Sequence, residues 1–70
     1  MTKVELTKTI EARKLNKRTM RAISTDPITI PFGGILTDIT QDDYVMRFSY
    51  LSEPYEADLI RVKSAYKIIE

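Results

Sequence analysis

The stretch PFGGILTDITQDDYVMRFSYLSEPY, residues 31–55, carries the clearest structural pattern in this 70-residue chain. It holds both glycines and five of the six aromatic residues. Alternate positions from residue 44 onward are apolar or aromatic, which is typical of a strand with one buried face. Aspartate is common in turns because its side chain bonds nearby backbone groups. We therefore predict two antiparallel strands hinged at Asp42-Asp43, with turn residues running from Asp38 to Asp43.

The second of these strands is predicted to direct one set of side chains into the core, namely Tyr44, Met46, Phe48 and Tyr50. Successive side chains of a strand point to opposite faces, so Arg47 lies on the other face. Ahead of the first strand, Gly33-Gly34 permits backbone angles that other residues avoid. We expect a sharp bend or bulge there. The break after the second strand is expected at Ser52-Glu53-Pro54.

The N-terminal third gives weaker signals. Within residues 1–16 apolar side chains alternate as in a strand, but part of the set also shares a helical face, so both alternatives stay open. We expect the first eight or so residues to be loose unless something binds them. Residues 13–18 are expected to form a turn or an exposed edge. Residues 19–25 suit a strand that ends at Asp26-Pro27, since proline cannot donate to a ladder.

Residues 55–69 can be interpreted in two ways. Apolar side chains recur at spacings of four and three, which favours a helix. Alternatively, residues 55–62 form a strand, residues 63–66 one helical turn and residues 67–70 a closing strand, which would cover an open sheet edge.

Composition narrows the function. Seventy residues form one domain near the lower size limit for independent folding. The chain has no cysteine and no histidine, so disulfides, thiolate metal sites and the common nucleophile–base pairs are missing. We expect no enzyme activity, no cofactor and no metal site. No apolar run approaches the roughly 18 residues of a membrane span, and no signal-peptide core is seen, so we expect a cytoplasmic protein without membrane contact.

Charge is distributed unevenly along the chain. Residues 1–25 carry seven Lys or Arg against two Glu, a net charge of +5, whereas residues 26–70 have a net charge of −4. A basic segment of this kind can meet nucleic acid or an acidic partner, or fold back on the acidic half. The candidate nucleic-acid-binding residues are Arg13, Lys14, Lys17, Arg18 and Arg21.

Two motifs carry a resemblance to a known class of domain. The segment Ile30-Pro31-Phe32-Gly33 resembles the step that opens the second strand in many bacterial SH3-like domains. Together with Phe48-Ser49-Tyr50-Leu51-Ser52-Glu53-Pro54-Tyr55, it is similar to a group of small uncharacterised bacterial proteins. The resemblance covers about residues 19–69. It implies a mostly β, small antiparallel SH3-like barrel over residues 19–70, with a basic N-terminal arm over residues 1–18 and a short C-terminal helical turn.

The alternative fold is a three- or four-stranded sheet packed by a C-terminal helix. For function, we predict a non-catalytic interaction module that binds a protein partner, or a second copy of itself, through an aromatic patch or a strand edge. Tyrosine and arginine are favoured where binding energy concentrates. The candidate partner-binding residues are therefore Arg47, Tyr50, Tyr55 and Tyr66. The alternative function is nucleic-acid binding by the basic arm.

Overall fold

The fold is seen in a computed structural model that describes residues 3–19, 21–22 and 27–69. In chain order these contain β1 (Val4–Leu6), β2 (Ile10–Lys14), β3 (Ile28–Ile30), β4 (Ile35–Gln41), β5 (Val45–Tyr50), β6 (Glu53–Asp58), a helical turn α1 (Leu59–Val62) and β7 (Tyr66–Ile68). The seven strands pair antiparallel in the order β3-β2-β6-β5-β4-β1-β7 and curl into a small barrel-like sheet. The predicted mostly β antiparallel class and the short C-terminal helical turn are confirmed.

The predicted central hairpin is present as β4 and β5, and its turn lies at Asp42-Asp43. The Asp42 carboxylate accepts hydrogen bonds from the N–H groups of Tyr44 and Val45, each at 2.9 Å. The prediction that the turn begins at Asp38 is wrong, because Asp38 lies within β4. Asp38 has a φ of 52°, and the β4–β5 register shifts between Thr37 and Thr40. Asp38 therefore lies in a β-bulge, and β4 continues beyond it.

The predicted core face of β5 is largely correct. Met46 is fully buried, Phe48 is 3% exposed and Tyr50 is half-buried. Tyr44, however, is 81% exposed, so its assignment to the core is wrong. It lies in the turn before β5, where the alternation of the strand has not yet begun.

The bend predicted at the two glycines is confirmed. Gly33 has a φ of 86°, and the Gly34 N–H donates to the Pro31 carbonyl at 3.0 Å, which closes a tight turn. The same turn is tied to β1. The Gly33 N–H donates to the Leu6 carbonyl and the Leu6 N–H donates to the Gly34 carbonyl, both at 2.9 Å.

The alternation in the N-terminal segment corresponds to strands. Val4, Leu6 and Ala12 are each 1% exposed and Ile10 is 5% exposed. The expectation of loose initial residues is wrong for Val4–Leu6, because β1 lies between β4 and β7 and its apolar side chains enter the core. Residues assigned to the basic arm therefore supply two strands, β1 and β2, to the sheet.

The basic run at residues 13–18 also departs from expectation. Its first two residues belong to β2, and Leu15 is only 1% exposed, so the exposed turn comprises Asn16 to Thr19. In the strand predicted over residues 19–25, Thr19 lies in this turn. Ala22 is exposed and forms an isolated bridge with Leu15. Residues 20 and 23–25 of this strand, and its predicted end at Asp26, lie outside the described residues.

At the C-terminus the strand interpretation is the better one. β6 pairs with β5 along its whole length, and a single helical turn follows before β7. The turn covers residues 59–62, four positions earlier than expected, and the alternative of a sheet packed by a long helix is wrong. Pro54 lies within β6 rather than ending a strand. Its carbonyl accepts a hydrogen bond from the Leu15 N–H at 2.9 Å.

The core is formed by apolar side chains from β1 to β6, from α1 and from Ala65, and the partly buried Tyr66 of β7 packs against it. Its buried members are Val4, Leu6, Ile10, Ala12, Leu15, Ile30, Leu36, Met46, Phe48, Tyr55, Ala57, Val62 and Ala65. No charged side chain is buried with them among the described residues. In the same part of the chain, no helix has the length and apolar character to cross a membrane.

Candidate interaction surface

The tip of the β5–β6 hairpin has an unusual backbone. Tyr50 pairs with Glu53, so only Leu51 and Ser52 form the turn. Both have positive φ angles, 51° and 66°, which is the signature of a type I′ turn. Asparagine and glycine are the residues that suit such a turn, whereas a branched side chain in a left-handed conformation crowds its own backbone. Leu51 is nevertheless present there, and it is 78% exposed.

A second exposed apolar side chain lies beside this tip. Thr37 pairs with Ser49, so the start of β4 lies alongside the end of β5. The turn before β4 packs on Tyr50, because a Cβ atom added at Gly34 would meet the Tyr50 Cε1 atom at 3.2 Å. This turn carries Phe32, which is 70% exposed. We call Phe32, Tyr50 and Leu51 the tip surface.

Tyr50 connects the tip surface with the core. Its ring centroid lies 6.2 Å from that of Tyr55, with the ring planes at 60°. Tyr55 in turn stacks on Phe48, with the centroids 6.2 Å apart and the planes at 24°. Tyr55 is only 8% exposed, so it supports the tip surface from below and offers little area to a partner.

Two lysines flank the tip. The Lys14 and Lys17 Nζ atoms lie 3.9 and 3.6 Å from the same Glu53 carboxylate oxygen. Glu53 directly follows the Leu51-Ser52 turn. Because two cations share one carboxylate, the rim of the tip surface keeps a net positive charge. Both lysines are among the predicted nucleic-acid-binding residues, and the structure places them at Glu53, next to the Leu51-Ser52 turn.

Arg47 belongs to a different surface. It lies opposite Glu56 in the β5–β6 ladder, and Arg13 lies opposite Glu56 in the β2–β6 ladder. The Arg13 Nε and Arg47 Nε atoms are 3.4 and 3.8 Å from the Glu56 carboxylate. Arg47 also approaches Asp42 at 3.6 Å, and Arg13 approaches Asp58 at 3.4 Å. The outer face of the sheet therefore carries a continuous row of ion pairs.

One carboxyl in this row has a shifted pKa. The N–H groups of Tyr44 and Val45 donate to Asp42 and lower its pKa, and the Arg47 charge lowers it further. These hydrogen bonds and the Arg47 charge stabilise the ionised form of Asp42 in the turn. The Arg47 Nε atom is itself buried without a hydrogen-bond partner, and the neighbouring Glu56 supplies charge rather than a hydrogen bond. The visible role of Arg47 is thus within the sheet.

The remaining candidates lie at two other places. Tyr66 is half-buried in β7, opposite Leu6, and packs against the core. Arg18 and Arg21 belong to the turn after β2, where the Asn16 side-chain oxygen accepts the N–H groups of Arg18 and Thr19 at 2.8 and 3.1 Å. Within the described part of the chain neither arginine side chain forms an ion pair, in contrast to Arg13 and the two lysines.

A further apolar surface lies at the other end of β5, about 20 Å away by strand length. Tyr44 and Ile60 are 81% and 79% exposed there, and with Leu59 they line a cavity of about 340 Å³ flanked by Asp43 and Lys63. The Leu59 N–H donates to the Tyr44 carbonyl at 2.9 Å. This end shows no comparable backbone strain, since Leu51, Ser52 and Asp38 are the non-glycine residues with positive φ in the described ranges.

Sequence reasoning missed Phe32 and Leu51. The Phe32-Gly33 pair contained a usable signal, because glycine at the third position of a tight turn leaves the preceding side chain at the outside. Leu51-Ser52 contained none, since neither residue type indicates a type I′ turn.

No group of three or more His, Cys, Asp or Glu side chains that could hold a metal ion occurs among residues 3–19, 21–22 and 27–69.

Comparisons with known proteins add no assignment. No protein-family model matches the chain, and neither the curated proteins nor the solved structures contain a match.

Proposed function

We propose that this chain is a non-catalytic interaction module with an SH3-like barrel, which binds a protein partner through the tip surface. The order of elements supports the SH3-like assignment. A first strand, β1, is followed by a long excursion that contains the paired strands β2 and β3 and ends at Pro31. Three sequential strands β4–β6 follow with tight turns, then a helical turn, and the last strand pairs with the first.

The observation that carries the proposal is Leu51 in its strained turn. A left-handed conformation costs a non-glycine residue about 1–2 kcal/mol, and two adjacent residues adopt it here. Asn-Gly would relieve this cost in one turn without any change elsewhere. Backbone strain that persists beside an exposed apolar side chain is typical of binding sites, where stability is given up for contact.

The chemistry of the tip surface defines the partner. Phe32 and Leu51 are exposed apolar side chains on two turns, and Tyr50 packs against the first turn and directly precedes the second. A few well-packed anchor side chains, aromatic ones above all, supply most of the binding energy in protein interfaces, and surrounding charges guide the encounter. The rim cations Lys14 and Lys17 favour carboxylates. The partner is therefore a protein segment or cleft with apolar positions for both anchors and acidic residues around them.

A random-peptide display library provides the probe. Peptides selected on the full chain are expected to be rich in aliphatic, aromatic and acidic residues. When a selected peptide is titrated into the labelled protein, the amide shifts of Phe32, Gly34 and Leu51 should change most. Phe32→Ser should weaken binding about tenfold or more, since removing a central anchor costs about 2–4 kcal/mol.

The matched control is Ile60→Ser, which removes an equally exposed apolar side chain at the other end of β5. It should leave the affinity unchanged. If Ile60→Ser abolishes binding and Phe32→Ser does not, the binding surface is the distal cavity and the proposal fails.

The nucleic-acid alternative has weaker support. Three of its five cations, namely Arg13, Lys14 and Lys17, lie against carboxylates of the same chain. Phosphate contacts would have to compete with these pairs. Of the five, Arg18 and Arg21 form no ion pair within the described ranges, and no aromatic side chain of that turn accompanies them for base stacking.

A further inference from the structure

The strand β7 ends the sheet with unpaired backbone groups. The Thr7 N–H donates to the Ala65 carbonyl at 2.7 Å, and the Ile69 N–H donates to the Lys3 carbonyl at 3.0 Å. In an antiparallel ladder the bonding residues alternate, so Ala65, Lys67 and Ile69 direct their backbone groups toward β1. Tyr66 and Ile68 direct theirs away from it. Among the described residues no strand lies on that side.

The side chains along this edge are apolar and electrically balanced. Ile68 is 69% exposed and Ile69 is 44% exposed. Ile68 lies opposite the buried Val4 and therefore belongs to the concave face, where no strand of residues 3–19, 21–22 or 27–69 covers it. The flanking charges neutralise each other, since the Lys67 Nζ atom is 3.7 Å from the Glu5 carboxylate. A second copy of this edge can approach without repulsion between like charges.

We propose that β7 pairs antiparallel with β7 of a second copy of this chain, about a two-fold axis at Ile68. The outward-directed groups of one strand must meet those of the other, which restricts the symmetric registers. A register centred on Tyr66 would require residue 64, which lies in a turn. A register centred on Lys67 would place two lysines directly opposite each other, which is unfavourable. Centring on Ile68 places the exposed isoleucines in contact instead.

This pairing joins two sheets into one and covers the apolar edge of each. A 70-residue chain without disulfides gains stability from such association. The β7 edge is separate from the tip surface. An experiment can therefore refute the pairing of β7 without refuting partner binding at the tip surface, and the reverse also holds.

Single cysteines test the register, because the natural chain contains none. In the proposed dimer the two residues at position 68 form a hydrogen-bonded pair with Cα atoms about 5.5 Å apart, within disulfide range. Ile68→Cys should therefore give a covalent dimer under mild oxidation, at least about tenfold faster than Tyr66→Cys, whose counterparts lie beyond about 7 Å. Equal rates would overturn the proposal. So would a mixture that forms mainly the Tyr66→Cys to Ile68→Cys disulfide, which indicates the register centred on Lys67.

The solution mass gives a second test without thiols. The average mass of the natural chain should rise with concentration from 8.1 kDa toward twice that value. Ile68→Pro removes an outward-directed N–H that forms no hydrogen bond within the described part of the chain, so the variant should keep the folded amide spectrum and stay at the mass of one chain. Ile60→Ser should associate like the natural chain. A constant monomer mass for the natural chain, or association of Ile68→Pro, would refute the self-pairing. Peptide binding at the tip surface would be unaffected by that result.

Discussion

The paired glycines before β4 allow a prediction in which the larger of two substitutions is tolerated better. Gly33 has a φ of 86°, and a Cβ atom added there would meet nothing within 4 Å. Gly34 has no positive φ, but an added Cβ would lie 3.0 Å from Ile30 Cγ2, 3.2 Å from the Pro31 carbonyl oxygen and 3.2 Å from Tyr50 Cε1. Backbone conformation therefore constrains Gly33, and space constrains Gly34.

The magnitudes follow from these neighbours. Ile30 is fully buried, and the Pro31 oxygen is fixed by its bond to the Gly34 N–H, so neither can move away easily. Gly34→Ala should then destabilise the fold by about 1–3 kcal/mol through overpacking. Gly33→Asn should cost less than about 1 kcal/mol, because asparagine tolerates the left-handed region and its side chain has open space.

Urea unfolding of both variants and the natural chain measures this difference. In a separate thermal unfolding experiment, Gly34→Ala should lower the melting temperature by about 4–8 °C for each kcal/mol of stability lost. The slope of the urea dependence should not change, since the same surface is exposed on unfolding. If Gly34→Ala is as stable as Gly33→Asn, the close packing of the Pro31–Gly34 turn against Tyr50 is refuted.

Three further predictions concern the charged residues. The lowered pKa of Asp42 means that its ionised form stabilises the fold; this contribution is fully present above the carboxyl pKa of the unfolded chain and is lost as pH falls through the pKa of the folded chain. Urea titrations should therefore show that Asp42→Asn is less stable than the natural chain at neutral pH and equally stable in strong acid. A stability difference that does not depend on pH would contradict this. A double-mutant cycle of Arg13→Met and Glu56→Gln should give a coupling free energy of about 1 kcal/mol in unfolding, because the ion pair is only partly exposed. Additive losses of stability would show that the Arg13–Glu56 pair does not stabilise the fold. Fluorescence anisotropy should find no oligonucleotide binding that falls steeply with salt, since three basic residues are paired internally; steep binding that Arg18→Gln and Arg21→Gln remove would support the nucleic-acid alternative.

Local pattern was sufficient to predict the centre of the fold. Alternation at Met46 and Phe48, turn chemistry at Asp42 and the bend at Gly33 each depend on neighbours in sequence, and each is present in the structure. Tyr44 failed because strand alternation was extended one position too far into the turn. Asp38 failed because a bulge in the β4–β5 ladder lets a turn residue occupy a strand.

Longer-range pairing was harder to predict. The strand character of β1 becomes decisive only when β4 and β7 lie on either side of it, and that arrangement is a property of the whole sheet. The same holds for Leu15, which lies within a basic run in the sequence and is buried in the fold. At the surface, Tyr50 and Tyr66 were selected by residue type alone, whereas Leu51 was recognisable only from its backbone angle.

The central claim is that Leu51 is kept at a cost to stability because it contacts a partner. The most direct test combines unfolding free energy and peptide affinity for Leu51→Asn with Ser52→Gly. The two quantities should change in opposite directions. The fold should gain about 1–2 kcal/mol, because Ser52→Gly removes the left-handed penalty at one position and Leu51→Asn reduces it at the other. Affinity for a peptide selected on the natural chain should fall about tenfold or more. A variant that is more stable and binds as tightly as the natural chain would contradict the claim.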